Sequence, residues 1–243
     1  MDVDVFDRNP YGTNCWLLSA EGGDEAVVVD PGFEPAAVHA LLDAADKRPV
    51  AVLLTHAHFD HAGAAGTFAG ALPVYVHPDD LPAFADYSVW GGGSAAALDA
   101  VADLRTFVDG DVLRLAGLRL DVLHTPGHTP GSTTWTWRSC EGDRCLNIVY
   151  ADSLTSVSHD AFRFTGDATH ASVVESFQRS IAVVAKLPCD ILLSVHPDMS
   201  HMDDKLARRA AGNADAFVDP EGCRSYAADA ERNLQKRIAA EKH

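Results

Sequence analysis

The spacing of apolar residues changes repeatedly along this chain. CWLLSA (15–20) and AVVVDPG (26–32) are short apolar runs separated by the turn residues EGGDE, a pattern that predicts a strand hairpin. In PAAVHALLDAA (35–45) the period lengthens to about 3.6, with Val38, Leu41 and Leu42 on one side, which predicts a helix. VAVLLT (50–55) is continuously apolar, as suits a strand buried on both faces. A second round follows. LPVYVHP (72–78) reads as a strand and DDLPAFADY (79–87) as a short helix. VWGGGSAAALDAVADL (89–104) reads as a glycine-rich loop and then a helix-prone stretch.

The second half begins with strand, turn and strand in DVLRLAGLRLDVLHTPG (111–127). STTWTWRS (132–139) alternates β-branched and aromatic residues, a good strand signal, and LNIVYADSLT (146–155) adds a strand and loop. SVVESFQRSIAVVAKL (172–187) places Val174, Phe177, Ile181 and Val184 at helical spacing. DILLSVHP (190–197) reads as a buried strand, and 219–243 as a closing helix that buries Tyr226, Ala230, Leu234 and Ile238. Strands and helices mixed in this way predict sheets covered by helices. No repeat or linker divides the chain, so residues 1–243 are expected to form one domain.

The candidate chemistry lies where strands end. THAHFDHAG (55–63) crowds His56, His58, Asp60 and His61 just past the strand at 50–54. His56 and His58 are two apart, so in an extended segment their rings can share a side, whereas on a helix they could not. Asp60 and His61 then open the glycine- and alanine-rich stretch HAGAAGTFAG (61–70), read as a helix, and a helix start favours a carboxylate. His128 in HTPGHTPGS and His196 in LLSVHPD also follow strands. Three strand-end loops offering histidine are the layout of an α/β metal site. Six nitrogen and oxygen ligands make two sets of three, and a catalytic zinc uses three protein ligands with a fourth position open. His39, His77, His124, His159, His170, His201 and His243 lack this context and are expected to be surface or hydrogen-bonded residues.

Charge and cysteines narrow the picture. The chain has 243 residues and a formal net charge of -16, which disfavours nucleic acid and anionic lipid. No apolar run of about 20 residues is present to span a membrane. The start, MDVDVFDRNP, lacks the features of a secretory signal. Cys15, Cys140, Cys145, Cys189 and Cys223 form no CxxC pair, and their odd number leaves at least one thiol free.

HAHFDH, GHTPGS and a lone histidine after a later strand together resemble the metallo-β-lactamase superfamily over nearly the whole chain. The resemblance implies a four-layer αβ/βα sandwich with two zinc ions at one edge. HTPGHTPGSTTWTW, YADSLT and the C-terminal segment are most similar to the third subclass of class B β-lactamases. That resemblance implies one zinc on His56, His58 and His128 and the other on Asp60, His61 and His196. It also implies disulfides Cys189–Cys223 and Cys140–Cys145, hence an oxidising compartment. The protein would then be periplasmic or secreted if a leader was removed, and cytoplasmic if the chain is complete as given.

A hydroxide shared by the metals would open the ring of a β-lactam, with Asp60 and His196 as catalytic residues and Ser153 and Thr155 near the substrate. NCWLLSAEGGDEAVVVDPG also resembles the glyoxalase-II-like branch, which keeps a thioesterase or lactonase as the alternative. In that branch an aspartate at the position of Asp152 bridges both metals; in the lactamase subclass it does not ligate, and the serine faces the metals. A small-molecule substrate and a monomeric protein, with no nucleic-acid partner and no membrane insertion, complete the expectation.

Overall fold

A computed structural model describes residues 5–6, 11–90, 98–158 and 162–242. Two mixed sheets face each other with helices outside. The first contains β1 (Val5–Phe6), β2 (Cys15–Leu18), β3 (Glu25–Val29), β4 (Arg48–Leu53), β5 (Val74–Val76) and β6 (Leu104–Thr106), side by side in that order. The second contains β7 (Val112–Leu115), β8 (Leu118–His124), β9 (Thr133–Glu141), β10 (Arg144–Ala151) and β11 (Ile191–Ser194), also in chain order across the sheet. The helices are α1 (Pro35–Ala45), α2 (Phe59–Ala62), α3 (Ala65–Ala69), α4 (Leu81–Ala85), α5 (Val174–Val184), α6 (Met202–Ala210) and α7 (Gly222–Ala240).

The period of two along each strand explains the layers. Val27, Val29 and Leu53 point between the sheets, where they meet Leu120, Val122, Trp135, Ile148, Tyr150 and Leu193. Their neighbours Val28, Val52 and Leu54 point outward and bury Val38 and Leu42 of α1 and Phe68 of α3. Val149 and Leu192 do the same on the second sheet, under Phe177, Ile181 and Val184 of α5 and Tyr226 and Leu234 of α7. These strands therefore read as unbroken apolar runs because both faces are covered. Truncating a fully buried Leu53 or Leu193 to alanine would cost about 2–5 kcal/mol.

Strand direction sets the site. β3 pairs parallel with β4, and β10 parallel with β11. β8 and β10 both run antiparallel to β9 and so share one direction. The carboxyl ends of these strands lie along the sandwich edge that receives the loops at 30, 55–61, 125–131, 152–155 and 195–197.

Four local readings change. The stretch 61–70 is not one helix: α2 ends and α3 restarts around Gly63 and Ala64. Backbone groups there are claimed from outside, with Ala64 N–H donating to the Gly32 carbonyl at 2.8 Å and Asp99 N–H to the Gly63 carbonyl at 3.0 Å. The helix-prone stretch 94–104 is also not helical where described, and its residues 94–97 lie outside the described set. Residues 98–103 pass against α3 so closely that a Cβ on Gly66 would lie 2.2 Å from the Ala100 carbonyl oxygen. The chain then enters edge strand β6 against β5, so close packing on α3 and the approach to this strand set its path against alanine's helix propensity. Finally, α6 was not anticipated. It buries only Met202 and Lys205, too few apolar positions to leave a period. Ile238 of α7 is half-buried rather than buried.

Candidate metal centre

The structure gathers the six strand-end residues into two groups. One ligand atom from each of His56, His58 and His128 lies within 4.8 Å of the others, and the same holds for Asp60, His61 and His196. In the first group the rings stand nearly perpendicular to one another, at 85–89°, with centroids 4.7–4.9 Å apart. Perpendicular imidazoles can aim in-plane lone pairs at one point. His77, Asp79 and His124 are equally close together. However, the His77 and His124 rings are stacked at 3.9 Å and 11°, so their lone pairs run side by side and do not converge. His124 instead donates from Nε2 to the Pro130 carbonyl at 2.8 Å, in keeping with a hydrogen-bonded histidine. His159 and His243 lie outside the described residues.

The outer partners fix which nitrogen faces inward. Nδ1 of His56 donates to Asp152 Oδ1 at 2.7 Å, and Nδ1 of His61 to Asp30 Oδ2 at 3.2 Å. Nδ1 of His128 donates to the Thr155 carbonyl, and Nδ1 of His196 to the Gly12 carbonyl, both at 3.0 Å. A carboxylate or carbonyl oxygen only accepts, so each ring carries a proton on Nδ1 and turns Nε2 inward. Nε2 of His56 and of His61 are buried and make no hydrogen bond among the described residues. His58 presents Nδ1, 3.1 Å from His128 Nε2. Converging imidazole nitrogens, those of His56 and His61 buried, with one carboxylate are a donor set that fits a metal ion such as zinc.

Charge differs between the groups. Burial lowers His56 and His58, and neighbouring rings push both further down. Burial also lowers His128 and His196. His61 goes the other way: burial opposes its charge, but Asp60 and Asp30 raise it to about 10. Burial by itself would raise the Asp60 carboxyl, yet His61 overcomes this and holds it well below the usual range. Asp60 Oδ2 accepts the Thr13 hydroxyl at 2.9 Å and lies 3.1 Å from His61 Nε2.

Asp152 is fully buried and stands behind His56, outside both groups. Ser153 is buried, with an Oγ that makes no hydrogen bond among the described residues. The Thr155 hydroxyl lies 3.1 Å from His128 Nδ1, so this residue supports a ligand ring from both its hydroxyl and its carbonyl. Tyr226 of α7 fixes the same loop, donating to the Asp152 carbonyl at 2.8 Å and accepting from Leu154 N–H at 2.9 Å. Disulfide Cys189–Cys223 anchors the start of α7 to the segment before β11; Cys140–Cys145 closes the β9–β10 hairpin, and Cys15 is a buried free thiol.

Sequence reading missed Asp30. It is fully buried and accepts from Thr55 N–H and Oγ1, from Tyr150 hydroxyl and from His61. The sequence shows only a turn aspartate after the VVV run; the structure adds a backbone φ of 51°, an uncommon position for a non-glycine residue. Phe59, between ligands His58 and Asp60, stacks on Phe33 at 5.3 Å, and Tyr11 meets Phe33 edge-on.

Comparison with known proteins agrees with this geometry. The metallo-β-lactamase superfamily model matches residues 8–141. Rm3 metallo-β-lactamase superposes with a TM-score of 0.86 at 33% identity, over 95% of this chain and 89% of that one. MEM-A1, a subclass B3 metallo-β-lactamase from a soil metagenome library, gives 0.86 at 29% identity over 99% and 93%. A hydroxyacylglutathione hydrolase of Anaeromyxobacter dehalogenans is 32% identical over 93% of this chain and 75% of its own length. Several other curated relatives are matched over only 61–65% of their length. With its family model, its sandwich and its two ligand groups in agreement, the chain belongs to the metallo-β-lactamase superfamily.

Proposed function

We propose that this superfamily hydrolase is a class B β-lactamase that uses two zinc ions, one on His56, His58 and His128 and one on Asp60, His61 and His196. Bound there, zinc supplies a water acidified to a pKa of about 7 and a Lewis acid for the carbonyl. The chain's own residues do the rest. The three neutral rings of the first set leave the carbonyl side strongly electropositive. Asp60 both ligates and orients the nucleophile, and His196 completes the set on the side of the leaving nitrogen. Asp60 is the one charged ligand of the six, so the loaded centre stays positive and attracts an anionic substrate at close range. Ser153, whose Oγ makes no hydrogen bond among the described residues, is the polar group offered to a substrate carboxylate, while Thr155 holds the His128 ring from behind.

The observation that carries this reading is Asp152. Its Oδ1 is engaged by His56 Nδ1 at 2.7 Å, on the ring edge facing away from the ligand group. Its Oδ2 is buried with no hydrogen-bond partner among the described residues, so the reading rests on Oδ1 being held behind the ring. This supports the lactamase arrangement over a thioesterase one. The 32% identity to a hydroxyacylglutathione hydrolase favours the second reading, a thioesterase or lactonase. Two disulfides favour an oxidising compartment and thus export.

The test is parallel steady-state hydrolysis of a chromogenic cephalosporin and a hydroxyacylglutathione thioester by zinc-loaded protein. Chelator-sensitive cephalosporin turnover with the thioester untouched is expected. Thioester turnover alone would replace this reading with the second one.

A further inference from the structure

One buried carboxylate outside both ligand groups joins the two loops that carry the first. Asp80 is 0% exposed and ends the turn Pro78–Asp80 after β5, on neither ligand loop. Its Oδ2 accepts Ala57 N–H at 3.0 Å and the Thr129 hydroxyl at 2.9 Å. Its Oδ1 accepts Gly131 N–H at 2.6 Å. Ala57 stands between His56 and His58, and Thr129 directly follows His128. The packing leaves no slack, since a Cβ on Gly131 would lie 2.5 Å from Asp80 Cγ. The same turn holds the second loop again through His77, stacked on His124, which donates to the Pro130 carbonyl.

The chemistry here is costly to maintain unless a carboxylate is needed. Burial raises the Asp80 carboxyl to about 7 against the pull of Thr129, Ala57 and Gly131, with Asp152 adding to the rise. A buried charge balanced by hydrogen bonds alone is expensive. An amide of the same shape would not serve. Both oxygens accept from backbone N–H groups, and asparagine has only one acceptor oxygen. Whichever way its amide turned, an NH2 would face the N–H of Ala57 or of Gly131.

We infer that Asp80 is a positioning residue for the first ligand set: it clamps the His56–His58 loop to the His128 loop and so sets His58 against His128. The inference rests on the reading of these histidines as metal ligands. It goes beyond that reading by assigning their relative placement to a residue on a third segment.

The experiment is zinc titration of the metal-free, full-length protein against a chromophoric chelator, comparing wild type with Asp80→Asn. Wild type should bind two zinc ions. Asp80→Asn should weaken one of them by about 10–100-fold, the usual effect of losing an outer-shell partner, and leave the other unchanged. In a His128→Ala background, where the first set is already broken, Asp80→Asn should change nothing further. Amide exchange in the metal-free protein gives a readout without zinc: Ala57 and Gly131 should exchange faster in Asp80→Asn, and Val28 and Leu53 should not. Thr129→Val keeps both backbone bonds and should show the same pattern more weakly, which covers failure of Asp80→Asn to fold. Val184→Ala, a core truncation under α5, should lower Tm without changing either zinc affinity.

Equal weakening of both zinc ions in step with Tm would reduce Asp80 to a structural residue and overturn the inference. So would unchanged affinity for both. Wild type that binds no zinc would overturn the ligand reading itself, a failure visible before any variant is compared.

Discussion

The two ligand groups are made of similar residues but sit in opposite electrical settings. His56, His58 and His128 form a neutral trio, lowered by burial and, for the first two, by neighbouring rings that include His128 and His61, with Asp152 as a carboxylate behind His56. His61 stands between two carboxylates, Asp60 in front and Asp30 behind, which raise it to about 10. The first group is a set of neutral donors held by its neighbours; the second carries a charge of its own and a second one in support. With a zinc ion bound at each, the first position would keep more of the ion's positive charge than the second, and the difference would lie in the outer residues as much as in the ligands.

The largest expected effect comes from removing the charge that defines the second group. Asp60→Ala should lose the zinc of that group and cut turnover by more than the roughly 100-fold typical of an outer-shell loss, checked by metal content and kcat. Full turnover with two zinc ions retained would contradict the role given to Asp60. Next come the supports. Asp152→Asn should weaken zinc in the first group, and Asp30→Asn zinc in the second, each by about 10–100-fold by chelator competition. If either substitution weakened both ions equally, the two settings would not be separable.

A smaller effect concerns the buttress behind the first group. Replacing Cys189 and Cys223 by alanine should lower stability by about 2–4 kcal/mol in urea unfolding. Because α7 carries Tyr226, the loss should also loosen the loop at 152–155 more than the loop at 195–197. The smallest effect lies at the far end of α7. Burial would raise Glu241, but Arg237 and the Thr165 and Phe164 backbone hold it down at about 2. A depressed carboxyl contributes stability above its unfolded value of about 4.5 that is lost as pH falls toward 2. Wild type and Glu241→Gln should therefore differ in Tm at pH 7 and converge between pH 4.5 and 2. A constant difference across that window would assign the effect to packing.

That these residues would come together was readable because His56, His128 and His196 each stand just past an apolar run, and the end of a strand is an address. Sheets covered by helices were readable for the same reason, as in VAVLLT and DILLSVHP, whereas the four-layer sandwich followed from the family resemblance. What escaped was residues whose partners are remote in sequence. Asp30 meets His61, Thr55 and Tyr150, and Asp80 meets Ala57, Thr129 and Gly131. Nothing local marks either as more than a turn aspartate. The helix expected near 94–104 failed where it could be compared because alanine-rich propensity is weak against close packing on α3 and the approach to β6. α6 escaped because a helix that buries two residues has no apolar stripe to read.

The most direct test of the central claim is anomalous diffraction at the zinc edge from crystals of the zinc-loaded protein. The account predicts two peaks, one among His56, His58 and His128 and one among Asp60, His61 and His196, with Asp152 still on His56 Nδ1. A single peak, or two peaks with the Asp152 carboxylate between them, would contradict it.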